Sequence, residues 1–190
     1  MAEVPEAVAQ AALRGDDERV RMGALLLVRY CSFHQNEKFS PWFERERQVL
    51  ADIAGHAGAL LETGGPRTNL TGLQDELKNV LEESDPDGPP FQAEVFDHLV
   101  FADEVIGFLL DPQDSVKLAQ VLERADELAE VHEELGREGY DGSDWEPAEL
   151  LSLEVRARTL DTGGDVHSAA ALARSVGFAR DYAQILEKCY

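Results

Sequence analysis

The sequence predicts an all-α protein, a single-domain bundle of seven to eight mostly antiparallel helices. Three observations lead to this fold class. Apolar residues recur at spacings of three and four in several long segments, which is typical of helices with one buried face. Residues that favour helix caps stand before these segments, and glycine or proline follows them. No stretch alternates polar and apolar residues over more than a few positions, so paired strands are not expected.

Two helices are predicted at the N-terminal end. The first is short, covering residues 5–13 and ending at Gly15. The second covers residues 17–35, and Asp16 or Asp17 can cap its positive N-terminal end. Its middle, MGALLLV, is apolar on every side, so we expect this helix at the centre of the bundle.

The next two helices are indicated by the residues at their starts. Ser40 can cap a helix and Pro41 suits its first position, and this third helix stops at two consecutive glycines, 64 and 65. Thr71 and Gln74 form a capping box that begins a fourth helix. The sequence SDPDGPP follows and is the strongest helix breaker in the chain.

That breaker, residues 84–90, is predicted to be a loop that joins two halves of one domain, residues 1–83 and 91–190. The second half begins with an aromatic-rich helix, and Asp111-Pro112 ends it and starts the next. The two remaining helices are predicted over residues 145–160 and from 165 almost to the end.

The helix that starts at Pro112 combines an apolar seam with an excess of negative charge. The steps of the seam alternate three and four, as in a helix packed nearly parallel to its neighbour. The seam consists of Leu118, Val121, Ala125, Leu128, His132 and Leu135. Residues 123–149 contain eleven Asp or Glu residues and only two Arg. Because the seam faces the core, the carboxylates are expected to point away from it.

This acidic surface is the candidate binding site. Like charges at a spacing of four destabilise a helix slightly, so a surface selected only for stability would interleave Lys or Arg. We expect the carboxylates to engage a basic partner and two aromatic residues to anchor it. A solvated helix face, with both aromatic residues turned inward, remains the alternative. The candidate residues are Glu123, Asp126, Glu127, Glu130, Glu133, Glu134, Glu138, Tyr140, Asp141, Asp144 and Trp145.

Composition restricts the partners and the compartment. The chain has 190 residues and a formal net charge of −21, which would repel DNA, RNA and anionic membranes. Cys31 and Cys189 are too few for a disulfide framework or a complete tetrahedral metal site. The N-terminus does not read as a signal peptide, and residues 24–28, the longest strongly apolar run, are too few to span a bilayer. We therefore expect a cytoplasmic protein, and the 13 Arg, only 4 Lys and many Ala suggest a high-GC genome; a bacterial source is expected.

Two kinds of basic partner fit such a surface. The first is a cationic toxin or nuclease, inhibited when the carboxylates occupy the place of substrate phosphates. The second is a nucleic-acid-binding protein that is inhibited by a DNA-like surface. Small, acidic, all-helical bacterial proteins include toxin-neutralising immunity proteins, and the chain resembles them in general character without a shared motif. The oligomeric state is left open.

An enzyme and a scaffold are the alternatives. Glu94 and His98 are four residues apart on one helix, which makes them the best acid–base or metal-like pair in the chain. No histidine has Glu or Asp three residues before it, and HExxH, P-loop and GxSxG motifs are absent from the sequence. No catalytic residue, metal ligand or cofactor is therefore assigned. In the scaffold alternative, the acidity serves only solubility.

Overall fold

The structure, a computed structural model, describes residues 15–31, 35, 41–63, 69–84, 92–140, 145–162, 167 and 169–189. Seven α-helices and no strands occur in these ranges, so the all-α prediction is confirmed. The helices are α1 (Asp16–Tyr30), α2 (Glu44–Thr63), α3 (Leu70–Glu83), α4 (Gln92–Leu110), α5 (Ser115–Glu138), α6 (Leu150–Leu160) and α7 (Ala169–Cys189). The predicted helix over residues 5–13 and most of the predicted loop, residues 85–90, lie outside the described residues.

Several predicted helix starts were wrong by a few residues. Gly15, not Asp16 or Asp17, is the N-cap of α1, and both aspartates lie in its first turn. Asp114 rather than Asp111 caps α5, since its Oδ1 accepts hydrogen bonds from the backbone N–H groups of the two residues after Ser115, at 2.8 and 3.2 Å. Residues that favour caps are common between helices, so composition alone does not select the one that caps.

The helices α2 and α6 begin later than predicted, and α3 begins earlier. The helix α2 begins at Glu44, three residues after Pro41. Asn69 is the N-cap of α3, so Thr71 lies inside that helix. The helix α6 begins at Leu150, and residues 145–149 are not helical.

The helix α1 occupies the centre of the bundle, as its apolar run predicts. It packs against α2, α4 and α7, and every residue from Met22 to Leu27 is buried. Gly23 lets α4 approach closely, because a Cβ there would lie 2.7 Å from Cδ2 of Leu109. The predicted seam of α5 also faces the core, with Leu135 half-buried and the other members buried. One hydrophobic core therefore contains residues of all seven helices.

Candidate functional site

Five glutamates form a continuous exposed row on the outer side of α5. They follow one another at steps of four, three, four and four, and all are exposed. Residues at these spacings are neighbours on one side of a helix, so the negative charges stack along its length. We call this row the acidic face; it consists of Glu123, Glu127, Glu130, Glu134 and Glu138.

One arginine offsets part of this charge. Arg124 donates a hydrogen bond to Glu127 at 2.9 Å and another to Asp97 on α4 at 3.2 Å. The hydrogen bond to Glu127 and the charges of neighbouring carboxylates raise the pKa of Arg124, against the effect of burial. The other four glutamates of the acidic face make no ion pair with any residue that the structure describes.

Acidic side chains on α4 extend the negative surface. Asp97 forms an ion pair with Arg124. Glu104 lies close enough to Asp103 and Glu127 for their charges to affect its pKa. Burial, followed by those two charges, raises the pKa of Glu104 although Arg124 opposes the shift. The two neighbouring carboxylates thus act on Glu104 in the same direction as burial, which is the main cause of the shift.

Apolar side chains are exposed on the same two helices. Val131 is 57% exposed and lies on α5 between Glu127 and Glu134. Tyr140 is 44% exposed just after α5, and Phe96 is 39% exposed on α4. Negative charge with a few exposed apolar side chains is the composition expected of an interface that is steered by charge and anchored by apolar contacts.

Two of the predicted acidic residues do not point away from the core. Glu133 is only 8% exposed; it pairs with Arg137, and its Oε2 accepts a hydrogen bond of 2.9 Å from the backbone N–H of Leu151. It thus satisfies an N–H group in the first turn of α6, where no acceptor exists within the helix. Asp126 is half-buried and accepts hydrogen bonds from both terminal nitrogens of Arg158, at 2.6 and 3.2 Å. Both carboxylates hold α6 against α5.

Of the two predicted aromatic anchors, one is exposed and the other is half-buried. Tyr140 is exposed, as the binding prediction requires. Trp145 is half-buried and packs against the hydrophobic core, so it is not an exposed anchor. Asp141 and Asp144 lie outside the described residues.

A buried network of charges joins α1, α5, α6 and α7. The guanidinium group of Arg29 donates to Glu154 Oε1 at 2.7 Å, to Ser175 Oγ at 3.1 Å and to Asp161. The side chains of Arg29, Glu154 and Asp161 are fully buried. Arg174 donates to the other oxygen of Asp161 at 2.7 Å. Charges this deep require partners, and here each is hydrogen-bonded to an opposite charge.

Glu154 is the centre of this network. Burial alone would raise its pKa, but the charges of Arg29 and Arg158 and hydrogen bonds from Tyr30 and Arg158 outweigh burial and lower it. The same environment raises the pKa of Tyr30, chiefly through burial and then through the charge of Glu154. The hydroxyl of Tyr30 lies 3.0 Å from Glu154 Oε2 and 2.9 Å from the carbonyl oxygen of Ala125. Glu154 is therefore held as a carboxylate inside the protein.

A second buried polar cluster surrounds the hydroxyl of Tyr182. This oxygen lies 2.8 Å from His98 Nε2 and 3.0 Å from His132 Nδ1. Burial lowers the pKa of His98 to about 3, with the charge of His132 acting in the same direction. Burial also lowers the pKa of His132 to about 4. Both rings are therefore neutral near pH 7.

The predicted Glu94–His98 pair does not form through the side chains. His98 Nδ1 lies 2.6 Å from the backbone carbonyl oxygen of Glu94, the acceptor four residues earlier on the same helix. His132 contacts the carbonyl oxygen of Leu128 in the same way, at 2.8 Å. Among the described residues, no group of three or more His, Cys, Asp or Glu side chains is arranged to hold a metal ion.

Similarity to other proteins adds nothing to this geometry. Neither a protein-family model, a curated protein nor a solved structure matches the chain. No helix in the described part of the chain is long and apolar enough to cross a membrane. The acidic face and the two buried clusters are therefore interpreted from their own contacts and charges.

Proposed function

We propose that this protein is an interaction module whose acidic face binds a basic protein partner. The observation that carries the proposal is the exposed row of five glutamates on α5, of which only Glu127 is paired with a described cation. Repulsion between like charges at these spacings opposes helix stability, so the row has a cost that a binding role would explain. In its sharper form, the partner is a cationic toxin or nuclease and this protein is its inhibitor.

Electrostatics supports a protein partner over a nucleic acid. A net charge of −21 repels polyanions at long range and accelerates the approach of a basic protein. The carboxylates of the acidic face would occupy a cleft that otherwise receives phosphates. Val131, Tyr140 and Phe96 supply apolar contact next to the charges, since steering alone gives speed rather than a long-lived complex.

The proposal extends to the compartment and the source. Cys31 and Cys189 are both free thiols, which suits a reducing bacterial cytoplasm. An immunity-type inhibitor would act there, on a toxin before its release or after its entry.

The test is capture of a partner from a lysate of the native host, with elution by a salt gradient. The binding variant combines Glu127→Lys, Glu130→Lys and Glu134→Lys. The matched control combines Asp75→Lys, Glu76→Lys and Glu82→Lys on α3, which changes the net charge equally at three exposed residues away from the acidic face.

The proposal predicts that the wild type and the α3 control retain one basic protein that rising salt releases. The α5 variant should lose that protein, because the local potential that attracts it has been reversed. Equal capture by both variants would mean that only net charge matters and that the acidic face is not the site. Partners that bind both variants and remain bound at high salt would favour the scaffold alternative instead.

His98, the histidine of the enzyme alternative, lies in a buried polar cluster. The side chains of His98, His132 and Tyr182 form hydrogen bonds within the cluster and to backbone carbonyls in the core. We propose a structural role for this cluster, namely to fix the packing of α4, α5 and α7. Catalytic activity that is abolished by His98→Gln without loss of stability would contradict this assignment.

A further inference from the structure

A groove with a volume of about 290 Å³ lies between α6 and α7. None of its lining residues belongs to the acidic face. One wall is apolar, and Leu160 on this wall is 43% exposed. Apolar side chains that remain partly in water around a concave site are typical of ligand sites. The apolar residues are Leu153, Ala157, Leu160 and Phe178.

The charge of the groove is opposite in sign to that of the whole chain. Arg156, Arg174 and Asp181 also line it, which gives a net charge of +1, whereas the chain carries −21. Arg156 is exposed and makes no hydrogen bond or ion pair with the described part of the chain. The residues three and four positions from it on α6 are Ser152, Leu153, Thr159 and Leu160, and none is acidic. Its guanidinium group is therefore available to an anion.

Two of the three charged residues that line the groove have ion-pair partners. Arg174 bonds to Asp161, which directly follows α6, so this arginine marks the end of the groove near Leu160. Asp181 lies seven residues further along α7, about 10 Å away at the rise of an α-helix. Its Oδ1 lies 3.5 Å from Nε of Arg180, which offsets its charge. Ion pairs thus offset the charges of both Arg174 and Asp181, so Arg156 is the lining charge that an anionic group would meet.

A glycine keeps the groove open. Gly177 lies inside α7 and lines the groove, and a Cβ there would meet no atom within 4 Å. Packing thus does not require glycine at this position, although glycine weakens a helix relative to alanine. Glycine at this position leaves room for a ligand to approach the helix backbone.

We propose that this groove binds an amphipathic carboxylate, such as a medium-chain fatty acid. The carboxylate would contact the exposed guanidinium group of Arg156, and the aliphatic chain would lie along the apolar wall. A volume of 290 Å³ corresponds to about ten water molecules, and thus to a ligand of about ten non-hydrogen atoms. Repulsion by the remote acidic residues is weak, because salt screens charges beyond about 8 Å at physiological ionic strength. The inference does not rest on the proposed function.

The test is isothermal titration calorimetry with sodium octanoate, which has ten non-hydrogen atoms. We expect saturable binding of one octanoate per chain. Binding of 1-octanol should be at least tenfold weaker, because it lacks the charge. Octyltrimethylammonium, which carries the opposite charge, should not bind the groove. Absence of saturable octanoate binding, or equal affinity for octanol, would overturn the proposal.

Two variants locate the site. Gly177→Leu fills the groove and should abolish binding, whereas Gly55→Leu, at an exposed position of α2 that is equally open, should leave it unchanged. Arg156→Gln, at an exposed residue whose loss does not endanger folding, should weaken octanoate binding at least tenfold and octanol binding little. Undiminished octanoate binding by either groove variant would contradict the assignment. The triple α5 variant should bind octanoate normally, so failure of the acidic-face proposal leaves this result unaffected.

Discussion

Arg29 and Glu154 are 125 residues apart in sequence, yet their Nη1 and Oε1 atoms lie 2.7 Å apart with both side chains fully buried. The pair links α1, at the centre of the bundle, to α6 near its surface. Asp161, Arg158 and Tyr30 complete the hydrogen bonds of the two groups. The contact therefore holds a short helix in one position, since any displacement would leave a buried charge without its partner.

Removal of one member of this pair should be strongly destabilising. We expect Arg29→Met to lower the free energy of unfolding by about 3–5 kcal/mol, because it leaves Glu154 and Asp161 buried without that positive charge. Arg29→Lys should lose less, since it keeps the charge but not the geometry of the guanidinium group. Urea denaturation measures both values. Arg45→Met, which breaks an exposed ion pair with Glu83, is the control and should cost at most about 1 kcal/mol. Equal losses at positions 29 and 45 would contradict a structural role for the buried network.

Acid should destabilise the protein through its buried histidines. The pKa of His98 is about 3 and that of His132 about 4 in the folded state, whereas both are 6.5 without burial. Below pH 6.5 the unfolded chain binds protons that the folded chain does not, so stability is fully present above that pH and is lost as the pH falls. Each histidine should contribute a slope that approaches about 1.4 kcal/mol per pH unit.

Urea midpoints at pH 7.5 and 5.5 measure this effect above the range in which Glu154 titrates. His132→Gln should remove about half of the difference between the two midpoints that the pair produces. A variant that retains the full difference would show that other groups cause the pH dependence.

A single charge reversal on the acidic face should stabilise the fold. Lys at position 130 lies three residues from Glu127 and four from Glu134, so Glu130→Lys replaces repulsion by attraction and should add about 0.5–1 kcal/mol. Thermal unfolding at low and high salt measures the gain, which should shrink as salt screens the charges. Asp75→Lys makes the same change in charge three residues before Lys78 and should not stabilise. If Glu130→Lys destabilises the protein, the row has no intrinsic cost and its main argument for binding is lost.

Replacement of glycine by alanine should have opposite effects on the free energy of unfolding at a buried position and at an open one. At Gly23 a Cβ would lie 2.7 Å from Leu109 Cδ2 and 3.3 Å from Phe108 Cδ1, so overpacking should cost about 1–3 kcal/mol. At Gly55 a Cβ meets nothing within 4 Å, so Gly55→Ala should add up to about 1 kcal/mol through helix propensity. Chemical denaturation of both variants gives the comparison. Stabilisation by Gly23→Ala would show that α1 and α4 can separate without cost.

Periodicity was sufficient to predict the fold class, because the positions of the apolar residues in α5 and α1 depend directly on which positions of each helix are buried. The acidic face was predictable for the same reason. Glu133 and Asp126 were not, since a carboxylate at the edge of a buried seam can turn either way. Their direction depends on Leu151 and Arg158, which belong to a different helix.

The buried network was also missed, although a signal existed. Arg29 follows a run that is apolar on every side, and an arginine in such a position needs a carboxylate partner if it is buried. Glu154 and Arg158 are four residues apart among leucines and alanine, which places that pair close to the buried side of α6. The identity of the partner across the bundle is a long-range property that local patterns do not contain.

The distance in sequence between Arg29 and Glu154 also affects how the chain is made. At a translation rate of roughly 5–20 residues per second, Arg29 of α1 is synthesised about 6–25 s before the ribosome adds its partner Glu154. During that interval the central helix of the bundle has α2 and α4 as neighbours but lacks α7. Completion of the core therefore waits for the C-terminal helices, and the nascent chain exposes apolar surface to which a holding chaperone can bind.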